Sequence, residues 1–255
     1  MKVVSFSIFK GGTGKTTSTV STAAALVAKG KSVLVVDLDQ QASATRYLDL
    51  DPETTPNLYD VFNGEASAQS AIRQTKFGID VLPSNLLLAA IEEAMESKSH
   101  DELRLSELLT PLKPEYDFIL IDTPPGKAML AFNGLAAADL IVIPASAERM
   151  AVDGAADLIT HVQTIMWDKF KLSHQDLRIL FTMYRNSTAH SPAVVDNARK
   201  IWRDNVLTPK IPHSTAFSRS YDSKTPIGVL EPRHPGAIAY NLLADWLIRY
   251  SDEAA

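Results

Sequence analysis

The sequence predicts an α/β fold, in which a doubly wound, mostly parallel sheet carries helices on both faces within a single domain spanning residues 1–255. Short apolar runs rich in β-branched residues alternate with longer helical segments, as in strands joined by crossover helices. One run, Val33 to Val36, is apolar at every position, which is typical of a parallel strand buried on both faces. With 255 residues, of which 45% are hydrophobic, the chain can bury one core of this size.

The individual elements follow from this pattern, with glycine or proline at several boundaries. The predicted strands are Val3–Ile8, Ser32–Asp37, Ile79–Leu82, Phe118–Ile121, Leu140–Pro144, Arg178–Thr182 and Val206–Ile211. The predicted helices are Lys15–Lys29, Asn57–Phe62, Ala66–Arg73, Leu86–Glu96, Glu102–Leu109, Ala151–Met166, Ala193–Trp202 and Pro235–Tyr250. A polar break at residues 97–101 separates two of the helices, and the last strand is expected to close the sheet.

The composition excludes several kinds of site. The chain has no cysteine, which excludes disulfides, thiolate zinc sites and cysteine-ligated iron–sulfur clusters. No run of about 18 apolar residues occurs, so we expect no transmembrane helix. Met1 leads directly into an apolar stretch with no basic region before it, so we expect no signal peptide and a cytoplasmic location.

A glycine-rich segment lies between the first predicted strand and the first predicted helix. It reads Lys10-Gly11-Gly12-Thr13-Gly14-Lys15-Thr16-Thr17. Glycines let a backbone wrap closely around phosphates, and the N-terminus of the following helix points N–H groups at them. Lys15 is placed to reach the β- and γ-phosphates of a nucleotide, and the Thr16 hydroxyl to bind Mg²⁺. The order of strand, loop and helix predicts the P-loop NTPase fold, with residues Lys10 to Thr17 holding the phosphates.

Three aspartates follow predicted strands, where α/β folds bind their ligands. Asp37 ends the second strand, Asp39 lies two residues further on, and Asp122 follows Phe118–Ile121 and precedes two prolines. Carboxylates in these places can hold Mg²⁺ through water and can orient an attacking water. Ordinary capping at a strand end is the alternative interpretation of each aspartate.

Four segments resemble the ParA/MinD superfamily of deviant Walker A ATPases, most strongly between Lys2 and Gly154. The string KGGTGKTT at residues 10–17 is similar to the deviant Walker A box of that family, and DLDQQASAT at 37–45 is similar to its DxDPQ switch. The strings FILIDTPP at 118–125 and PASAERMAVDG at 144–154 are similar to two further motifs of the family.

The resemblance implies a role for each charged residue of these motifs. Lys10 would cross the interface of a nucleotide-sandwich homodimer and touch phosphates bound by the partner subunit, and Asp39 would position the hydrolytic water. The catalytic residues would then be Lys10, Lys15 and Asp39. Thr16, Asp39 and Asp122 would surround Mg²⁺, and ATP would be the nucleotide.

The resemblance also concerns two loops further along the chain. The adenine of ATP would sit after the last two strands, near Met183 and near Pro212 to Ser214. Gln40 stands where the family usually has proline, which leaves the backbone of the switch less fixed. The arginine that the family carries after its I-P-R-N stretch is not reproduced in Ile211–Ala216.

Branches of the family can be distinguished by residue chemistry. Nitrogenase-type reductases need cysteines for their cluster, and this chain has none. MinD-like proteins bind membranes through a basic amphipathic helix, whereas Leu242–Ala255 contains one base, Arg249, and three acids. We therefore expect this segment to pack on the core and expect no membrane partner. The phosphate loop starts at residue 10, so no N-terminal helix-turn-helix domain is expected.

The charge distribution favours DNA as a partner. Between Arg178 and Arg249 the chain has ten Lys and Arg against five Asp and Glu, although its overall net charge is −5. A basic surface on an acidic protein is typical of binding to phosphate groups. The candidate DNA contacts are Arg219 and Lys224, and a second set consists of Arg185, Arg199, Lys200 and Arg203. The alternative is a solvated face that offsets nearby acids.

The resemblance implies a ParA-type ATPase that segregates or positions a plasmid, a chromosome locus or a protein assembly. ATP would close the dimer, the dimer would bind nonspecific DNA on the nucleoid, and a ParB-like or adaptor protein would stimulate slow hydrolysis. Two alternatives remain open. One is a metabolic ATP-dependent enzyme of the dethiobiotin synthetase type, and the other is a MinD-like membrane-associated regulator.

Overall fold

A computed structural model describes residues 1–96, 103–164, 176–186 and 190–253. The strands are β1 (Lys2–Phe6), β2 (Val33–Asp37), β3 (Arg73–Gln74), β4 (Asp80–Leu82), β5 (Phe118–Asp122), β6 (Leu140–Ser146) and β7 (Asp176–Thr182). They form one sheet in the order β3-β4-β2-β5-β1-β6-β7. Every neighbouring pair is parallel except β3 with β4. The predicted mostly parallel sheet is confirmed.

Helices of very different length connect and cover these strands. They are α1 (Lys15–Val27), α2 (Ser43–Tyr47), α3 (Leu58–Asn63), α4 (Ala68–Ala71), α5 (Leu88–Glu96), α6 (Arg104–Leu109), α7 (Met129–Ala136), α8 (Arg149–His161), α9 (His190–Trp202), α10 (Ala216–Asp222), α11 (Ile227–Leu230) and α12 (Pro235–Glu253). Short 3₁₀ helices occupy Thr110–Glu115 and Arg203–Asn205.

Strand β2 shows why both faces of the sheet are covered. Val33 and Val35 pack into a buried cluster with residues of α1 and α12, whereas Leu34 and Val36 pack into a second cluster with residues of α3, α5 and α6. Successive side chains of a strand point to opposite faces, so a run of apolar residues needs a helical layer on each side. A third cluster packs α8 and α9 against β6 and β7.

The C-terminal helix α12 packs on the core, as the sequence predicts. Its residues Leu243 and Leu247 are fully buried in the same cluster as Val20 and Leu26 of α1. In the described part of the chain, no helix is long and apolar enough to cross a membrane.

The prediction that Val206–Ile211 forms the closing strand is wrong. The segment runs along the edge of β7, but only isolated parallel bridges form, from Val206 to Ile179 and from Pro212 to Tyr184. Pro209 has no N–H to donate to a strand ladder, and it lies in the middle of the segment. The sheet therefore ends at β7.

Other differences concern short elements. Within the predicted helix Ala66–Arg73, only α4 is helical. Arg73 belongs instead to the antiparallel edge strand β3. Helices α2, α7, α10 and α11 were not predicted: α7 is apolar along nearly its whole length, and the other three have seven residues or fewer. The polar break at 97–101, the predicted start at Glu102 and the predicted end at Met166 lie outside the described residues.

Candidate nucleotide site

The loop between β1 and α1 has the backbone of a phosphate-binding loop. Gly12 has a φ of +72° and Gly14 a φ of +87°, and a Cβ added at Gly12 would meet no atom within 4 Å. Glycine suits Gly12 because of the left-handed backbone rather than because of crowding. Gly14 precedes α1 without a side-chain cap, so the first N–H groups of the helix can serve an anion held by the loop.

The far end of the sheet also supports this loop. The Thr182 hydroxyl, at the end of β7, donates a hydrogen bond of 2.8 Å to the carbonyl of Thr13. Thr13 is itself 2% exposed, and its own hydroxyl has no hydrogen-bond partner among the described residues. The loop is therefore fixed from β7 as well as from β1 and α1.

Lys15 is a buried cation at the base of the loop. It is 8% exposed, and its ammonium lies 3.5 Å from the carbonyl oxygen of Lys10. Burial lowers the pKa of Lys15, while the charges of Asp122 and Asp39 act in the opposite direction. A desolvated ammonium with few local partners is suited to a polyphosphate. Lys10 itself is half-buried at the opening of the loop.

Asp37 and Asp122 end the neighbouring strands β2 and β5 in the same register. Both are fully buried. Asp37 accepts hydrogen bonds of 2.8 Å from the main-chain N–H and from the hydroxyl of Thr45, and one of 3.2 Å from the N–H of Asp39. Burial nevertheless raises the pKa of Asp37 to about 6. Asp37 thus holds the segment that follows β2 through these three bonds.

Asp122 has the free acceptor that a cation would need. Its Oδ1 lies 3.4 Å from the Thr19 hydroxyl, while its buried Oδ2 has no hydrogen-bond partner among the described residues. Burial and the neighbouring Asp37 raise the pKa of Asp122 well above its usual range, and the nearby Thr16 side chain and the charge of Lys15 work against that rise. The residues present therefore fit Mg²⁺ placed by Thr16 and Asp122.

Carboxylates alone would not hold such an ion. The described residues contain no group of three or more His, Cys, Asp or Glu side chains with metal-binding geometry. Mg²⁺ keeps several waters and commonly combines one or two protein ligands with substrate phosphates. The site is suited to a magnesium–nucleotide complex.

Asp39 faces the phosphate side of the site. It lines a cleft of about 360 Å³ together with the phosphate loop, Ser43 and Pro125. Its Oδ1 accepts a 2.9 Å hydrogen bond from the N–H of Gln41, and its carbonyl accepts one of 2.7 Å from the Ser84 hydroxyl. Asp39 is thus positioned beside the predicted phosphate position by bonds on both sides.

A second cavity, of about 420 Å³, opens beside the phosphate loop. It brings together the three residues predicted for adenine, Met183, Pro212 and Ser214, with Gly14 and Thr17 of the loop. Aromatic residues that the sequence did not single out complete its walls. They are Phe217 and Tyr221 of α10 and Tyr240 of α12. No motif marks α10, so only its helical period and its place between Pro212 and Pro226 could have pointed to it.

Comparisons with known proteins agree with this geometry. A family model described as an AAA domain matches residues 1–178. The sporulation initiation inhibitor protein Soj of Bacillus subtilis is 34% identical over 248 residues, covering 95% of this chain and 96% of Soj. The chromosome-partitioning ATPase Soj of Treponema pallidum is 33% identical over 236 residues, covering 92% of each chain.

A solved structure is similar over the whole length. Cobyrinic acid a,c-diamide synthase from Mycobacterium smegmatis, with bound ADP and magnesium, has a TM-score of 0.85 and 30% identity, covering 100% of this chain and 97% of its own. The chain belongs to the ParA/MinD superfamily of P-loop ATPases.

One departure from the usual ParA/MinD motifs is Gln40, where the family usually has proline. Hydrogen bonds hold the main chain on both sides of this position. The N–H of Asp39 donates to Asp37, and the N–H of Ala42 donates to the carbonyl of Asp39 at 2.8 Å. The Arg46 guanidinium also donates to the carbonyl of Gln41. These contacts restrain the switch of this ParA/MinD ATPase without a proline ring.

The six candidate DNA contacts of this ParA/MinD ATPase fall into two groups at opposite ends of β7. The first group, near the nucleotide cavity, contains Arg185, Arg219 and Lys224. The second group, Arg199, Lys200 and Arg203, lies at the end of α9, where Asn205 contacts Arg178 near the start of β7. Seven residues of strand, about 20 Å, separate these ends.

The two groups also differ in their pairing. In the first, Arg219 forms an ion pair of 2.7 Å with Glu231, Lys224 one of 3.1 Å with Asp49, and Arg185 contacts the His213 ring. In the second, Arg199 and Arg203 line an open groove of about 420 Å³ with Asp204, Val206 and Thr208. Within the described ranges, no ion pair involves Arg199, Lys200 or Arg203.

Proposed function

We propose that this protein is a ParA-type ATPase that binds ATP with Mg²⁺, forms an ATP-sandwich homodimer, binds nonspecific DNA, and segregates or positions a cargo. A ParB-like or adaptor partner stimulates an otherwise slow hydrolysis. The observation that carries the proposal is the second lysine, Lys10. It is a half-buried residue that begins a loop in which Lys15 already supplies a cation for the phosphates. The relatives named Soj support the same function.

Each residue of the site has a separate task in the proposed reaction. Lys15 and the N-terminus of α1 bind the phosphates, and Thr16 with Asp122 places Mg²⁺. The ion supplies charge neutralisation at the phosphates. Asp39 orients the water that attacks the γ-phosphate, and Lys10 reaches the phosphates bound by the second subunit. Hydrolysis then needs closure of the dimer, because each nucleotide site is completed by Lys10 of the other subunit.

The DNA contact of the dimer is proposed to centre on the α9 group. Arg199 lies in the last turn of α9 and Arg203 directly follows this helix. Both line one groove, so both can face a phosphate backbone. Arg219 and Lys224 would first have to give up Glu231 and Asp49. Because the α9 group lies at the far end of β7 from the nucleotide cavity, ATP would control DNA binding by doubling the number of contacts in the dimer.

The decisive experiment separates nucleotide binding from dimerisation. Sedimentation with a nonhydrolysable ATP analogue is expected to show a dimer for the native protein and a nucleotide-bound monomer for Lys10→Ala. Lys31→Ala, a change of another half-buried lysine outside the loop, is the matched control and is expected to dimerise normally. A stable dimer of the Lys10 variant would contradict the proposed role of Lys10 across the interface.

A second candidate function is an ATP-dependent synthase that forms amides. The observation that favours it is the similarity to the cobyrinic acid a,c-diamide synthase structure. Such an enzyme would turn over ATP only with an acid substrate and a nitrogen donor. A ParA-type ATPase hydrolyses ATP with no small-molecule co-substrate, and DNA with a partner protein increases the rate. Phosphate release measured with ATP and Mg²⁺ alone, and then with DNA, distinguishes the two functions.

A further inference from the structure

Tyr221 borders both cavities of the nucleotide site. It lines the 420 Å³ cavity with Phe217 and the 360 Å³ cleft with Lys15 and Asp39. Gly14, Thr17 and Met183 also line both, and Tyr221 is the aromatic member of this shared set. A ligand that places its phosphates on the loop and its base in the larger cavity must pass this ring.

The ring of Tyr221 is exposed on one side and supported on the other. The residue is 40% exposed, so one side of the ring is open to a ligand. Its other side packs against Tyr47, with ring centroids 5.2 Å apart at 65°. Tyr47 is 1% exposed, and its hydroxyl lies 2.6 Å from the hydroxyl of Ser220. The buried Tyr47 therefore holds the neighbouring ring in place before a ligand binds.

Tyr47 belongs to the segment that carries the switch aspartate. It ends α2, the helix that begins at Ser43 in the phosphate cleft, four residues after Asp39. Thr45 of the same helix holds Asp37 through two hydrogen bonds of 2.8 Å. A contact made on the ring of Tyr221 is thus connected, through one aromatic neighbour, to the main chain that positions Asp39.

We propose that Tyr221 stacks on the base of the bound nucleotide and, through Tyr47, positions the switch segment 39–47 for hydrolysis. This inference rests on the proposed function, because it takes the ligand to be a nucleoside triphosphate. Aromatic rings stack on any base, and a supported ring loses little conformational freedom on stacking. Tyr221 is a contact residue for the base and a positioning residue for Asp39.

A ligand without a base provides the test. Calorimetry compares a nonhydrolysable ATP analogue with tripolyphosphate, each with Mg²⁺, on the native protein and on Tyr221→Ala and Tyr221→Phe. Loss of the ring is expected to weaken binding of the ATP analogue about tenfold and to leave tripolyphosphate binding unchanged. Tyr221→Phe keeps the ring and is expected to bind both ligands as the native protein does.

Turnover gives the second readout. At saturating ATP, Tyr221→Ala is expected to hydrolyse ATP more slowly than the native protein, because the switch segment has lost its support from the base. Equal weakening of both ligands would assign the ring a merely structural role, and unchanged affinity for the ATP analogue would exclude the stacking contact. A native protein that binds tripolyphosphate and the ATP analogue equally would also overturn the inference, whereas one that binds neither ligand would contradict the proposed function itself.

Discussion

The phosphate-loop half of this ATPase and its basic C-terminal third differ in how sequence becomes surface. In the first region, Lys15, Asp39 and Asp122 come from distant parts of the chain and meet around one cleft, because each lies next to the carboxyl end of a parallel strand. In the second, basic residues that are close in sequence are divided between the two ends of β7, and some are paired with acids. The end of a strand determines where a functional side chain lies, whereas the net charge of a segment does not show where its basic residues lie.

The largest effect is expected from Lys15→Ala in the first region. Removing the buried ammonium leaves the phosphates without their main cation, so nucleotide affinity should fall by about 3–5 kcal/mol, roughly a thousandfold. Calorimetry with ADP and Mg²⁺ measures this loss, and circular dichroism checks that the variant folds. Near-native affinity would mean that the functional residues of this half are not concentrated around Lys15.

A smaller effect, on rate alone, is expected from Asp39→Ala. The water would lose its orienting carboxylate, so turnover should fall about a hundredfold while the affinity for ATP is retained. The ATP-bound dimer should accumulate as a result. Single-turnover hydrolysis and analytical ultracentrifugation measure the two quantities. Asp51→Ala, an exposed aspartate outside the cleft, is the matched control and should leave both unchanged.

The buried carboxylates predict a dependence on pH. Burial raises the pKa of Asp37 to about 6 and raises that of Asp122 well above its usual range, so both hold protons to a higher pH than an exposed aspartate does. Mg²⁺ needs the ionised form of Asp122. Magnesium-dependent binding of ADP should therefore weaken as pH falls through the region of these pKa values, by up to about tenfold per pH unit for one coupled proton.

Asp122→Asn separates this effect from the titration of ADP itself. The nucleotide phosphate titrates equally in both proteins, whereas asparagine cannot take up a proton. The pH dependence of the native protein should thus be steeper than that of the variant above the pH at which an exposed aspartate titrates. Identical slopes would show that Asp122 does not exchange its proton for the metal.

The smallest effects are expected in the basic third, and they test its division into two groups. The double variant Arg199→Glu with Arg203→Glu should weaken DNA binding in the presence of ATP by a similar factor for every duplex. It should also reduce the salt slope by about one unit per lost contact. Arg219→Glu with Lys224→Glu should do less, because those bases already have acid partners. Fluorescence anisotropy at several salt concentrations measures both variants.

If Arg219→Glu with Lys224→Glu weakened DNA binding more than Arg199→Glu with Arg203→Glu, the DNA contact would lie near the nucleotide cavity instead. If neither variant changed DNA affinity, the basic third would be the solvated face that the charge count also allows. ATP hydrolysis without DNA should survive in both, since neither pair lies in the phosphate cleft.

How far the sequence could predict this molecule depends on the range of the interactions involved. The strands β1, β2, β5, β6 and β7 and the phosphate loop were predictable because β-branched runs and glycines act locally. The segment 206–211 has a similar apolar pattern, yet Pro209 interrupts its pairing. An apolar pattern alone does not show that one proline prevents a strand from forming. The contact of Asp37 with Thr45 was not predictable, since it depends on how α2 folds back.

The aromatic wall of the larger cavity shows the same limit. Met183, Pro212 and Ser214 were predictable by resemblance, because they follow the last strands of the fold. Phe217 and Tyr221 come from α10, a helix of seven residues with no motif of its own. Ion pairs between distant residues were not predictable from the sequence either. Lys224 and Asp49 are far apart in sequence, and only the packing of α10 against α2 brings them within 3.1 Å.

The hydrogen bond from the N–H of Gln41 to Oδ1 of Asp39 has a consequence for timing. One oxygen of the proposed water-orienting carboxylate accepts a hydrogen bond from its own backbone turn, and the other accepts none within the described ranges. The turn therefore decides which oxygen is offered to water and at what angle. A protein that binds residues 40–42 could therefore control the rate of hydrolysis without contacting the nucleotide.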